Sequence, residues 1–335
     1  MSCGALVLCT GGGIGDVLLA TPVMRALRAT YGPVVALTAR AHVGVLAGNP
    51  DVADVWSDDV PFAQQAARIA RCDFAASITT WASLRSAALP YVGRVPVRAG
   101  QARRLYSRLF THRVVVRSET GDRASHWTQI LLDFARALGS DASDATPHFT
   151  IAPEARASLA ASLAGAGIVG PYVVLHPSRG ISAACERWPA APFVALARAL
   201  ARDGSVRVVV TGSAADAALA QTIADAGGAV SLGGRTSLAE FAALAAGARA
   251  VVAMDSGPMH VAAAVGAPTV GIFALQSDEP ERWAPLGPRA TVVRATYPCP
   301  PSHRKETCPN FACVAALDVA AVVAALHRVV ATAKP

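Results

Sequence analysis

Lysine is almost absent from this chain: of 335 residues only Lys305 and Lys334 are lysines. No Gly-Lys-Ser/Thr triplet occurs, which excludes a P-loop nucleotide site. A phosphate held inside the chain is therefore expected to meet arginine or histidine, and the planar fork of arginine suits phosphate and carboxylate. Aromatic residues make up 6% and charged residues 16% of the chain. No apolar run reaches the roughly 18 residues of a membrane span, because Gly, Pro or Arg interrupts each one. The first nine residues lack a basic stretch and run into a Gly-rich turn, so they read as a first strand rather than a signal peptide. Seven cysteines are scattered without a small-scaffold framework, which fits a reduced cytosolic compartment.

What is present is apolar material and arginine. Hydrophobic residues make up 53% of the chain, enough core for two domains at this length. The formal charge is +7, and it is local. Arginines 94, 98, 103, 104, 108, 113 and 117 fall in one stretch with no acid. Such a stretch reads either as a solvated face or as a site for an anionic partner. Only Tyr106 and Phe110 interleave it, too few aromatics for a single-stranded nucleic-acid platform.

Short apolar runs alternate with helical patterns almost throughout, which predicts parallel βα units. In the first half, strands are expected at 5–9, 34–38, 52–56, 74–78 and 114–116. Helices are expected at 18–31, 43–47, 61–71 and 126–138. Residues 140–148 are polar and turn-rich and read as the start of a linker. The second half repeats the plan, with strands at 172–176, 207–211, 230–232, 250–254 and 269–273. Its helices are expected at 154–164, 191–201, 214–226, 237–246 and 313–331. Two Rossmann-like domains are implied, 1–150 and 151–335, each offering the carboxyl edge of its sheet to a shared cleft.

Two turns carry the chemistry. Asp255-Ser256-Gly257-Pro258-Met259-His260 lies between a buried strand and a helix-forming run that begins at Val261 and that Gly266 and Pro268 stop. Its Ser and Gly let backbone N–H groups approach an anion at a helix N-terminus. An N-capped crossover loop reads equally well from these residues. Gly11-Gly12-Gly13-Ile14-Gly15-Asp16 follows the first strand. The dinucleotide pattern would place Gly at 16, and Asp16 there would repel a pyrophosphate. The turn instead presents a carboxylate, expected to be ionised near the helix N-terminus, which can accept a proton from a bound hydroxyl. The plain alternative is that Asp16 caps the helix.

Taken together the motifs resemble glycosyltransferase family 9, the lipopolysaccharide heptosyltransferases. Residues 15–27 resemble its N-terminal signature and 255–268 its C-terminal one. His176-Pro177-Ser178, Arg187-Trp188-Pro189 and Leu232-Gly233-Gly234-Arg235-Thr236-Ser237-Leu238 resemble its intervening elements, in order. The resemblance implies an α/β, GT-B type fold: two Rossmann-like domains facing across a central cleft. In that arrangement an N-terminal domain binds the acceptor and a C-terminal domain binds the nucleotide sugar. The final helix has the option of packing back on the N-terminal domain.

The resemblance also implies inverting transfer of L-glycero-D-manno-heptose from ADP-heptose to Kdo or heptose of the inner core. No metal or other cofactor is required, and the ADP-sugar enters as substrate. Asp16 is then the catalytic base. Ser178, Arg179, Arg187 and Asp255, Ser256, Gly257, Pro258, Met259 and His260 hold the donor diphosphate. Gly13, Gly15, Arg94, Arg98, Arg103 and Arg104 meet an anionic lipid-linked acceptor, with no nucleic acid involved. The enzyme would be cytoplasmic, in peripheral contact with the inner-membrane surface. His126 matches a family histidine, although an isolated histidine reads first as structural.

The sequence departs from the family at Glu186, where a phosphate-holding lysine is usual. It departs again at Ala274-Leu275-Gln276-Ser277, where Gly-Pro-Thr is usual. These changes keep two alternatives open: another nucleotide sugar, or a protein or natural-product acceptor. A non-catalytic module binding an anionic glycan is the third. Cys299, His303, Cys308 and Cys313 form a loose cluster without the tight pairs of structural zinc sites, and read as reduced loop thiols or as a metal site.

Overall fold

A computed structural model describes residues 4–177, 189–202, 204–275, 278–298, 300 and 308–331. The chain divides into two compact units, Met1–Thr150 and Ile151–Pro335. The first unit runs β1 (Ala5–Cys9), α1 (Ile14–Leu19), α2 (Thr21–Tyr31), β2 (Val34–Thr38), α3 (Val43–Leu46) and β3 (Asp54–Ser57). It continues α4 (Phe62–Ala70), β4 (Ala76–Thr79), α5 (Leu84–Val92), β5 (Val97–Gln101), β6 (His112–Val114) and α6 (Trp127–Arg136).

The second unit runs α7 (Pro153–Gly165), β7 (Tyr172–His176), α8 (Ala191–Ala201), β8 (Arg207–Val210), α9 (Ala217–Gly227) and β9 (Val230–Ser231). Next come α10 (Leu238–Gly247), β10 (Ala250–Met254), α11 (Gly257–Ala264), β11 (Thr269–Phe273) and α12 (Pro280–Trp283). It closes with β12 (Ala290–Arg294), α13 (Ala312–Ala315) and α14 (Val319–Ala331).

Each unit holds one six-stranded sheet, β3-β2-β1-β4-β5-β6 in the first and β12-β11-β10-β7-β8-β9 in the second. Every pairing is parallel. Counted from each unit's own first strand, both sheets have the same doubly wound order. Strand order reverses between β1 and β4 in one and between β7 and β10 in the other. Open α/β sheets bind ligands at the carboxyl side of that reversal.

The central strands are buried on both faces, which is why they read as unbroken apolar runs. Leu6, Leu8, Leu37, Ile69 and Leu89 form one face of the first core, closed by Trp56 edge-on to Phe74 at 5.8 Å. Truncating Leu8 to Ala in that packing costs about 2–5 kcal/mol.

The expected 18–31 helix divides at Ala20, because Pro22 fits only the first turn of a new helix. The expected 313–331 helix also divides. The Asp318 carboxylate accepts the Ala321 N–H at 3.0 Å and starts α14 afresh. α14 packs on α8, β11 and β12 of its own unit. The helix after Met254 starts four residues earlier than expected, at Gly257, with Pro258 in its first turn. Four elements carried no clear signal, among them the single turn of α12. β5 reads Val-Arg-Ala-Gly-Gln, α5 contains Pro90, and β12 is a short half-buried edge strand.

Residues 140–148, read as the start of a linker, are pinned to α2. Arg25 reaches Asp144 at 2.6 Å and the Thr146 carbonyl at 3.0 Å, and the Thr21 hydroxyl accepts the His148 N–H at 2.9 Å. Part of the N-terminal signature therefore serves the fold.

Candidate functional site

In the first unit three neighbouring strands deliver side chains to one carboxyl edge. β1 leads into Gly11–Asp16, β2 into His42 and β4 into Trp81. Asp16 lies in the first turn of α1, and its Oδ2 accepts the Gly13 N–H at 2.7 Å. Capping and presentation thus coexist: one carboxylate oxygen ties the turn, and the group stays only half-buried.

Gly12 sits at φ +77°, and a Cβ there would stand 2.7 Å from the Asp16 Cβ and 2.5 Å from its Cγ. Glycine at 12 is what lets the carboxylate lie across the turn. A Cβ at Gly11 would meet the Trp81 Cβ at 2.8 Å. Gly13 precedes α1 in extended backbone, and Gly15 lies within α1.

Burial pushes the Asp16 carboxyl above its ordinary value. The Gly13 N–H, a hydrogen bond from Trp81 and the charge of His42 oppose that shift without cancelling it. Desolvation outweighs these opposing contributions, and the carboxylate is more basic for it. Trp81 is 36% exposed and lies on Trp127, with ring centroids 5.2 Å apart. His42, Trp81 and Trp127 had no motif of their own. Only their places after β2, after β4 and at the start of α6 mark them. His126 caps α6, its Nδ1 accepting the Thr128 N–H at 3.2 Å, as the structural reading expects.

The arginine stretch does not form one site. Arg94 and Arg98 lie at the amino end of β5, the far edge of the sheet from Asp16. Arg98 donates to the carbonyls of Leu109 at 2.8 Å and Val95 at 2.5 Å, and packs over Tyr91. Arg94 and Arg98, expected to meet the acceptor, therefore lie at the opposite end of the sheet from Asp16. Arg103 and Arg104 follow the carboxyl end of β5 and are exposed. Arg104 pairs with Glu119.

In the second unit the carboxyl ends of β7 and β10 flank the strand reversal. The Asp255 N–H closes on the Ile272 carbonyl at 3.0 Å, and the Ser256 hydroxyl donates to the Met254 carbonyl at 2.9 Å. Gly257 and Pro258 then open α11, an eight-residue helix. Pro258 has no N–H and the Met259 N–H closes on the Ser256 carbonyl at 3.1 Å, which leaves the Gly257 amide at the first helical position as a donor. Asp255 through Pro258 are half-buried.

Met259 is fully buried, its sulfur over Gly271 of β11, where a Cβ would stand 2.6 Å away. Met259 was expected among the donor-binding residues of this turn; its side chain packs the turn from beneath. His260 is 5% exposed, also on the buried side.

His176, at the end of β7, bonds Thr211 Oγ1 at 3.0 Å and stands edge-on to Phe241. Burial pushes its imidazole down to about 4 against the partial opposition of Asp216, so it is neutral at physiological pH. Ser237 caps α10, its Oγ accepting the Glu240 N–H at 3.2 Å. Ser178, Arg179, Glu186, Arg187, Gln276 and Ser277 lie outside the described residues. Ala274 and Leu275 face the core.

Cys299 and His303 also lie outside the described residues, while Cys308 and Cys313 are buried in the second core. Among the described residues, no group of three His, Cys, Asp or Glu side chains could hold a metal ion. Burial pushes the Cys9 thiol up to about 12, which makes it a core residue rather than a nucleophile.

Residues 63–311 match the family model described as glycosyltransferase family 9 (heptosyltransferase). Over 115 residues the chain is 36% identical to lipooligosaccharide heptosyltransferase 2 of Haemophilus influenzae, covering 32% of each protein. Over 248 residues it is 32% identical to lipopolysaccharide heptosyltransferase 1 of Pseudomonas aeruginosa, covering 72% of this chain and 65% of that protein. The chain thus spans less than two thirds of the length of either relative. A glycosyl transferase family 9 structure from Veillonella parvula superposes with a TM-score of 0.83 at 19% identity, covering 99% of both chains. The ADP-heptose lps heptosyltransferase II structure from E. coli gives 0.78 at 20%, again over 99% of both. At that identity the likeness shows the fold, two Rossmann-like units of GT-B type.

Proposed function

The chain belongs to glycosyltransferase family 9, and from that premise we propose that it is an inverting glycosyltransferase. Its substrates in this reading are ADP-heptose and an inner-core lipopolysaccharide acceptor ending in Kdo or heptose. The observation that carries the reading is Asp16: a carboxylate at the strand reversal, held across a glycine turn and made more basic by burial. It takes the proton of the acceptor hydroxyl as that oxygen attacks the anomeric carbon. The bond to the diphosphate breaks on the opposite face, and the configuration inverts.

The departing ADP carries developing charge, which the Ser256 and Gly257 amides at the start of α11 would meet. With lysine so scarce, arginine supplies the fixed positive charge in this reading, with Arg179 and Arg187 the candidates from the motifs. No metal takes part, and the ADP-sugar is the only nucleotide required. The enzyme works at the cytoplasmic face of the inner membrane, where its lipid-linked acceptor is made.

The test is transfer of heptose from ADP-heptose to a Kdo-lipid A acceptor by the purified chain. Transfer abolished in Asp16→Ala supports the reading, and normal turnover in that variant sinks the base assignment. Glu186 in place of a lysine favours a second reading, the same chemistry with a different nucleotide sugar. A donor panel separates the two: failure of ADP compounds to compete for binding selects the second.

A further inference from the structure

α5 carries an apolar stripe on its solvent side. Leu84, Ala88, Tyr91 and Val92 recur at i, i+4, i+7 and i+8, which places them along one helix face. Leu84 is 67% exposed, Tyr91 52% and Val92 50%, while Ser86, Ala87, Leu89 and Pro90 bury the opposite face. A stripe of this kind normally faces a core, and here it faces outward.

The short 3-10 turn Leu105–Leu109 lies against the same helix and adds Leu105, the most exposed large apolar side chain of the described residues at 92%. The two pieces are tied at both ends. The Tyr106 hydroxyl donates to the Ala82 carbonyl at 2.6 Å beside the start of α5, and Arg98 of β5 bridges the other end, donating to the Leu109 carbonyl at 2.8 Å and packing over Tyr91. This turn leads on to β6, the edge strand of the sheet.

The rim of this apolar surface is basic. Arg94 follows the end of α5, Arg103 and Arg104 precede the 105–109 turn, Arg108 lies within it and Arg113 lies on β6, into which the turn leads; all five are exposed. Arg94, Arg108 and Arg113 make no ion pair among the described residues. The neighbouring acids are already engaged: Glu119 with Arg104 and Gln101, and Asp58 with Arg85.

We propose that α5 and the 105–109 turn form a docking surface for an anionic lipid bilayer. The leucines and Val92 enter the boundary between headgroups and acyl chains, while the arginines reach lipid phosphates. Charge decides the occupant. A second copy related by a two-fold axis would set these arginines against their own counterparts, whereas an anionic bilayer is complementary to them. Each arginine near such a surface contributes about fivefold to partitioning. Each inserted leucine contributes on the order of tenfold or more.

Sedimentation of the full chain with vesicles tests this without reference to transfer, so its outcome is independent of the proposed reaction. We expect binding to phosphatidylglycerol-containing vesicles that weakens with salt, and much weaker binding to pure phosphatidylcholine. Leu84→Ser with Leu105→Ser should lower binding by on the order of a hundredfold, and Arg108→Gln with Arg113→Gln by about twenty-five-fold. These side chains are exposed, so the thermal midpoints of both variants should match the parent. Absence of vesicle binding, or binding untouched in both variants, overturns the proposal. So does a concentration-dependent dimer that the leucine variant abolishes, because the occupant is then a second copy.

Discussion

Replacing Gly12 by alanine separates the two things that glycine does in the first turn. One is backbone strain. At φ +77° an alanine costs roughly 1–2 kcal/mol, which lowers the thermal midpoint by about 2–8 °C for a unit of this size. The other is displacement. The new Cβ would lie 2.7 Å from the Asp16 Cβ, roughly 0.7 Å inside ordinary carbon–carbon contact, and it would press on the carboxyl group as well. The carboxylate must move by most of an ångström or the turn must open. A misplacement of about 1 Å costs on the order of a hundredfold in rate, or about 2.7 kcal/mol of transition-state stabilisation.

The control is Gly139→Ala. Gly139 has nearly the same φ, +79°, and nothing within 4 Å of the added Cβ. Melting followed by circular dichroism should show a comparable drop for both variants. kcat/KM for transfer should fall about a hundredfold in Gly12→Ala alone. If Gly12→Ala melts lower but keeps kcat/KM within a few fold of the parent, the placement of Asp16 by this turn is refuted.

Asp16→Asn should lower kcat by about 10²–10⁴-fold, the usual share of a general base. Because burial raises the Asp16 titration above its unfolded value of 3.8, the folded state binds more protons than the unfolded state in that window, and the parent loses stability as pH rises through it. The stability difference should therefore move in favour of the variant with rising pH, by at most about 1.4 kcal/mol for each pH unit that the titration is raised; movement toward the parent refutes the desolvation argument. Trp81→Phe removes a hydrogen bond that favours the carboxylate while leaving a ring beside Trp127, so the acid limb of the kcat/KM profile should shift to higher pH; an unmoved limb contradicts the contact. His176 is held near 4 against an unfolded 6.5, so its share of stability is complete above about 6.5 and is lost as pH falls toward 4. That share is ~3 kcal/mol, and denaturant titrations of His176→Asn should show a flatter acid side, whereas an equally steep one refutes the role of the buried imidazole.

Strands buried on both faces announce themselves as unbroken apolar runs, and β1, β2, β7, β10 and β11 were legible for that reason. β5, α5 and β12 were not, because an arginine, a proline and partial exposure dilute the local pattern. The two glycine-bearing turns were legible as well, since strand-to-helix turns at a sheet edge need residues of that kind. Helix breaks were the weaker reading: Pro22 and Asp318 each restart a helix where apolar periodicity alone runs on.

By itself the sequence determined the repeated βα plan, the family, the two turns and the scarcity of lysine. These are matters of local pattern and composition, and neighbours distant in the chain do not alter them. Only the tertiary structure decided which residues share an edge. It gathered Asp16, His42 and Trp81 from three strands that are adjacent in the sheet but far apart in the chain. It divided the arginine stretch, because β5 runs through it and sets Arg98 at one end of the sheet and Arg103 at the other. It placed Met259 beneath its turn rather than in it. It also set the direction of the Asp16 titration, since the dielectric around a carboxylate is made by side chains that the local sequence does not contain.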